Sequence, residues 1–236
     1  MTTHILISGA TGAMGKKVFE AALQPHWKIQ VLGGFAEHAE ILSDNLLPLF
    51  PIHAVPDTIC DATHCIVDFS HASAIPELLS FARRHKIPVV LCTTGLNDEI
   101  QTMVDLASKE IPIFQSGNMS YGINLLQHVL AQIAPLLHPH FDIEIVEKHH
   151  RRKVDAPSGT ARMLAHAIID KLPDLALQTS RSGYECKRQP KDITVHAVRG
   201  GTIVGEHQVI FAGDGETLTL THQAESRDVF AQGALR

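Results

Sequence analysis

A β-branched run, His4 to Ser8, meets Gly9-Ala10-Thr11-Gly12-Ala13-Met14-Gly15 and then a helical stretch, Lys16 to Leu23, that stops before Pro25. Few folds accept this order of strand, glycine turn and helix. The glycines permit a tight turn, and the helix start offers unpaired backbone N–H groups and the positive end of the macrodipole to a negative ligand. The spacing is GxxGxxG, a looser relative of the dinucleotide fingerprint GxGxxG, and its context is what gives it weight.

The next segments repeat the theme. Trp27 to Leu32 reads as a second strand, with Gly33-Gly34 and Glu37 just beyond its end. An acid about 20 residues past the glycine turn is where a ribose hydroxyl would be held. His38 follows as a candidate for a 2′-phosphate contact. Glu40 to Ile59 reads as loops with a short helix. Strands at Cys65 to Phe69, Pro88 to Cys92 and Ile111 to Phe114 then alternate with helices at Ala72 to His85 and Asp98 to Lys109. This alternation predicts a doubly wound parallel α/β sheet, in which ligands collect beyond the carboxyl ends of the strands. The polar turns there, Ser70-His71, Thr93-Thr94 and Asn118, are candidates to line a cofactor groove.

From Tyr121 a helix runs to about Ala134, where Pro135 is expected to close it. Asp142 to Lys148 alternates as a strand, which places Glu147 beside His149 on one face if the strand continues. A helix at Arg162 to Lys171 follows, entered through Pro157 and capped by Ser158. Ile193 to Arg199, Thr202 to Ala212 and Thr217 to Ala224 read as three consecutive antiparallel strands, with Gly200-Gly201 as the hairpin turn of the first pair. One open sheet with one helix on it predicts a free face buried against another subunit.

A net charge of −5 argues against a nucleic-acid partner, which needs a broad basic surface. No apolar run is long enough for a membrane span and the N-terminus carries no secretory pattern, so a cytoplasmic protein without a membrane partner is expected. The 4 cysteines form no CxxC pair and read as reduced thiols. The best metal candidate among the 16 histidines is His138-Pro139-His140 with Asp142 and Glu144. Pro139 breaks the alternation that a strand-borne ligand pair needs, so no metal is expected.

The most polar stretch is Glu147 to Ala161, Glu-Lys-His-His-Arg-Arg-Lys-Val-Asp-Ala-Pro-Ser-Gly-Thr-Ala. Two histidines and a lysine beside a helix start suit an anionic substrate that must be protonated. A solvated charge run before an ordinary cap is the plainer alternative.

This stretch closely resembles the signature of the 4-hydroxy-tetrahydrodipicolinate reductase (dihydrodipicolinate reductase) family. The likeness extends through Gly9 to Gly15, Asp68-Phe69-Ser70, Thr93-Thr94-Gly95, Asn118 to Gly122, Val198 to His207 and Phe230 to Ala234. The resemblance implies a Rossmann-type dinucleotide-binding domain, residues 1–119 joined by 228–236. It implies a second α+β domain with an open mixed sheet, residues 120–227, for substrate binding and homotetramer assembly. It further implies NADH or NADPH as cofactor and a small cyclic dicarboxylate as substrate, reduced to tetrahydrodipicolinate in the lysine and diaminopimelate pathway.

Position by position, His149 and Lys153 correspond to the proton-handling groups, and His150, Ser158, Gly159 and Thr160 to the substrate-carboxylate site. Gly9, Ala10, Thr11, Gly12, Ala13, Met14, Gly15, Glu37, His38, Cys92, Thr93, Thr94, Ser116, Gly117, Asn118 and Met119 correspond to cofactor contacts. His38 stands where some members carry an arginine for the 2′-phosphate, which leaves both cofactors open. A non-catalytic, dinucleotide-sensing protein of the same fold is the rival reading.

Overall fold

The computed structural model describes residues 1–36, the backbone at Ile52 and His53, and residues 62–236. Glu37 and His38 lie outside the described residues, as does most of the segment 40–59. The chain divides into two compact units, Met1–Met119 with Arg227–Arg236, and Ser120–Ser226.

The first unit is built on strands β1 (Thr3–Ser8), β2 (Ile29–Phe35), β3 (Ile52–His53), β4 (Cys65–Asp68), β5 (Val89–Leu91) and β6 (Ile113–Gln115). They form one parallel sheet in the order β3-β2-β1-β4-β5-β6. Helices α1 (Ala13–Ala22), α2 (Ile75–His85) and α3 (Asp98–Ala107) connect them. Successive side chains of β1 serve opposite layers. Leu6 packs with Leu78, Leu79 and Val104, while Ile5 and Ile7 pack with Val18 and Phe19. That is the two-sided burial a doubly wound sheet requires.

Two sequence expectations shift here. Gly33 and Gly34 lie inside β2, where they pair with Leu6 and Ile7 after a register shift between Ile5 and Leu6. Pairing to the central strand overrides their low strand propensity. Helix α1 starts at Ala13, so part of the glycine turn already belongs to it.

The second unit begins with α4 (Tyr121–Leu137), then β7 (Asp142–His149), α5 (Gly159–Ile169), β8 (Ala176–Gln178), β9 (Asp192–Arg199), β10 (Gly205–Gly213) and β11 (Glu216–Ala224). Helix α4 does not stop at Pro135. Proline falls in the last turn, where it costs one backbone bond, and the His138 N–H still reaches the Ala134 carbonyl at 3.0 Å. The five strands run in the order β11-β10-β7-β9-β8.

This order corrects the expected hairpin. β9 pairs with β7 in parallel, and β10 pairs with β7 from the other side, antiparallel. Gly200-Gly201 therefore carries the chain past the end of β7. The Gly200 N–H donates to the His149 carbonyl at 2.9 Å, and the Arg151 N–H donates to the Gly201 carbonyl at 3.3 Å. The turn's polar groups are spent on β7 and its exit, so β9 and β10 are never neighbours.

Both α4 and α5 pack on one face of this sheet. Leu126, Leu130, Leu164 and Ile168 meet Ile143, Ile145, Val195, Val209 and Phe211 there. The opposite face carries Val146, Lys148, His196, Val198, Gln208 and Ile210. On it Glu144 is engaged by Arg181, Arg188 and His196, which leaves it no place in a metal site. The closing helix α6 (Asp228–Leu235), which the sequence reading did not assign, returns to the first unit. There Ala231 is buried with Val18 and Phe19, and Asp228 pairs with Lys17. Among the described residues no helix is long and apolar enough to cross a membrane, and no group of His, Cys, Asp and Glu side chains is arranged to hold a metal ion.

Candidate active site

The alternation of β7 turns Ile143, Ile145, Glu147 and His149 toward the helices. Glu147 is 0% exposed, an expensive place for a carboxylate without partners. Its neighbours are set by strand register: His207 on β10 lies opposite Glu147, and Arg199 on β9 lies beside His149. Arg199 donates from Nη1 to Oε2 and from Nη2 to Oε1, both at 2.7 Å. The Ser158 N–H adds a bond to Oε1 at 2.9 Å, and His149 Nδ1 lies 2.6 Å from Oε2. Burial by itself would raise this carboxyl, but the bonds from His149, Arg199 and Ser158 outweigh it and hold it at about 2.

An ionised Glu147 fixes the histidine's tautomer, because it needs a proton on Nδ1. Nε2 is left as the exchanging atom of His149, which is 8% exposed. A Cβ at position 205 would stand 3.1 Å from that Nε2, so Gly205 keeps the atom uncrowded.

His207 forms the inner wall, edge-on to His149 with ring centroids 5.2 Å apart. Its Nε2 lies 3.0 Å from Ser158 Oγ, which also accepts the Ala161 N–H at 3.1 Å and so caps α5. His222 repeats the device on β11, with Nε2 at 3.1 Å from Ser120 Oγ, the cap of α4. Adjacent strands thus each hold a helix start through a histidine and a serine.

Burial first, and then the charge of His149, push the His207 imidazole down from an ordinary 6.5 to about 3. The unfolded chain therefore takes this proton first as pH falls. Stability from this group is complete above pH 6.5 and is lost on the way down to about 3, at up to ~1.4 kcal/mol per pH unit. His222, also shifted down by burial, adds in the same direction. Thermal melts between pH 7.5 and 5 should show a falling Tm in the native protein and a flatter profile in His207→Gln. Equal slopes would refute the assignment.

The other expected residues divide. Lys153 pairs with Asp155 at 2.8 Å and its N–H bonds the His150 carbonyl at 3.1 Å, so the loop after β7 is folded on itself. His150 is half-buried, while Gly159 is exposed with open space where a side chain would stand. Ser158 is 1% exposed with its N–H and hydroxyl engaged internally, so it shapes the α5 start rather than presenting itself to a ligand.

In the first unit a cleft of about 540 Å³ opens at the carboxyl ends of β1, β2 and β4, lined by Gly9, Thr11, Gly12, Phe35, Ser70 and His71 among others. Strand order reverses between β1 and β4, the place where doubly wound sheets take ligands. Gly9 has φ +76°, and a Cβ on it would meet the Phe69 carbonyl oxygen at 2.6 Å; one on Gly15 would meet the Gly9 oxygen at 2.2 Å. Gly12 starts α1 with no side-chain cap, leaving the first amides without a serine or aspartate in front of them. These features fit a dinucleotide's pyrophosphate.

Ala10 is buried, Met14 packs against the core, and Ala13 is exposed. Cys92, Thr93, Thr94, Ser116, Gly117, Asn118 and Met119 do not line this cleft, though they lie at the same end of the sheet, beyond β5 and β6. Thr93 donates to Asp68 at 2.6 Å, and burial, then Asp68, raise the Cys92 thiol beyond any role as a thiolate.

Residues 3–119 match the model described as "Dihydrodipicolinate reductase, N-terminus" and residues 122–236 match "Dihydrodipicolinate reductase, C-terminus". The chain belongs to the dihydrodipicolinate reductase family. A 4-hydroxy-tetrahydrodipicolinate reductase of Caldanaerobacter subterraneus subsp. tengcongensis is 46% identical over 238 residues, 100% of this chain and 91% of the relative. One of Clostridium perfringens strain 13 is 42% identical over 233 residues, 98% of this chain and 89% of the relative. A solved dihydrodipicolinate reductase from Paenisporosarcina sp. TG-14, with dipicolinate bound, superposes with a TM-score of 0.75 at 22% identity, covering 99% of this chain and 92% of that one. A myo-inositol dehydrogenase from Corynebacterium glutamicum shares the fold more distantly, with a TM-score of 0.59 at 15% identity over 99% of this chain and 86% of its own.

Within this dihydrodipicolinate reductase fold, Arg199, Gly205 and His207 fall in the run Val198 to His207 that carries part of the family likeness, but the sequence assigns none of them a role. Each lies far along the chain from Glu147, and only strand register brings it alongside. A buried-face position in each of two alternating strands was the available signal.

Proposed function

We propose that the chain reduces 4-hydroxy-tetrahydrodipicolinate to tetrahydrodipicolinate with NADH or NADPH, in the biosynthesis of lysine and diaminopimelate. The observation that carries this reading is His149, locked by ionised Glu147 with Nε2 as its exchanging atom, at the start of α5. Family membership supplies the substrate's identity, a cyclic dicarboxylate that loses its 4-hydroxyl as water. A nicotinamide cofactor, when bound, would supply the hydride that reduces C4 of the resulting unsaturated ring.

His149 Nε2 delivers the proton to the neighbouring carbon, directly or through water, and recovers one from solvent. Lys153, held by Asp155, exchanges that carboxylate for one of the substrate's. His150, Gly159 and Thr160 bind the carboxylates beside it, where the macrodipole of α5 favours negative charge. Gly9 to Gly15 hold the cofactor's pyrophosphate, with Thr93, Thr94 and Ser116 to Met119 contributing at the ends of β5 and β6. Glu37 and His38 take the ribose end.

The reading includes a cytoplasmic location and a homotetramer assembled through the sheet face that bears Val146, Val198 and Ile210. Initial rates with NADH and with NADPH, on substrate made in situ from pyruvate and aspartate semialdehyde, test it. Oxidation of at least one cofactor is expected. Oxidation of neither would leave the dinucleotide-sensing alternative.

A further inference from the structure

Arg199 is shared between two parts of the site. Its Nη1 bonds Glu147 Oε2 and the Val198 carbonyl, the latter at 2.8 Å. Its Nη2 bonds Glu147 Oε1 and the Asp155 carbonyl, the latter at 2.6 Å. The four Nη hydrogens are thus all engaged, and the contacts reach β7, β9 and the loop between β7 and α5. Glu147 orients His149, and Asp155 sits two residues from Lys153 and pairs with it.

We propose that Arg199 is a positioning residue for the reaction read above: one guanidinium fixes Glu147 by both oxygens, and with it His149, while tying down the loop that carries Lys153. The proposal rests on that reading for its catalytic half and on geometry alone for its positioning half. Only a planar fork fits. A carboxylate held by one donor can rotate, whereas two parallel bonds set its plane and therefore the direction in which Oε2 receives the imidazole N–H. The same fork places a second donor on a backbone carbonyl, which a point charge on a flexible stem cannot do while spanning both oxygens. Register fixes where this arginine must stand, since Arg199 pairs with His149 across the β7–β9 ladder. Arg199 touches neither cofactor nor substrate in this scheme; it acts through Glu147 and Asp155.

The test uses Arg199→Ala with small-molecule replacement. In the intact protein His149 should show a downfield Nδ1–H proton resonance, identified by its loss in His149→Gln. Arg199→Ala should lose that resonance and lower kcat on the order of 100-fold, with KM for the cofactor unchanged. Methylguanidine should restore both signals, and methylamine at the same concentration should restore neither. If Arg199→Ala cannot be purified folded, Arg199→Lys, which keeps the charge without the fork, should lose the resonance and lower kcat at least 10-fold. Retention of the resonance overturns the proposal whatever the rate, and so does equal rescue by methylamine. The resonance needs no turnover. A native protein inactive toward the substrate would sink the proposed reaction and leave the positioning of His149 to be decided by the spectrum.

Discussion

His149→Gln should lower kcat by about 10² to 10⁴, roughly 3 to 5 kcal/mol of transition-state stabilisation. Glutamine is close to histidine in length and can still meet Glu147 through its amide, so the buried carboxylate keeps a partner and the fold should survive. What it cannot do is exchange a proton near neutral pH. KM for the cofactor should stay constant, because Gly9 to Gly15 belong to the other compact unit. Steady-state kinetics with circular dichroism as a folding control will decide. A folded variant within a few fold of the native kcat removes His149 from the proton-transfer role and shifts attention to Lys153.

Glu147→Ala should destabilise the fold by about 3 to 5 kcal/mol, among the largest effects a single residue can have. The carboxylate neutralises Arg199 and accepts from a buried backbone N–H and a buried imidazole, all of which the variant orphans. The double variant Glu147→Ala with Arg199→Met should recover part of that loss, since it removes the uncompensated charge. Urea denaturation of the native protein, both single variants and the double variant measures the coupling. Additive losses would mean the pair does not behave as a unit. Acid offers a separate check. With the folded carboxyl at about 2 against an ordinary 4.5, its contribution is complete above pH 4.5 and disappears as pH falls toward 2. The His207 loss starts two pH units higher, so the two are separable in one titration.

Several parts of this site are legible in the sequence. Gly9 and Gly15 could be named because the reason for glycine there is local: a positive φ at one and a backbone contact at the other. Glu147 and His149 could be placed on one face because a strand has period two. The Ser158 cap followed from the turn that precedes α5. The second sheet was misread where the sequence carries no local signal. Thr202 to Ala212 alternates equally well beside β9 or beside β7, and Gly200-Gly201 suits a hairpin as well as a crossing turn. Pro135 misled for a related reason, since its cost in a last turn is one bond and packing of the helix outweighs it.

The amino-acid sequence alone determined the class of fold, the glycine turn, the alternation that joins Glu147 to His149 and the family itself, because each depends on residues close together in the chain. The tertiary structure alone decided how a carboxylate with no exposure stays ionised. Arg199 and His207 come from strands that order themselves around β7, and no local preference encodes that order. It is set by burial of the sheet's inner face, and it brings the Arg199 fork to Glu147 from β9 while His207 stands opposite on β10.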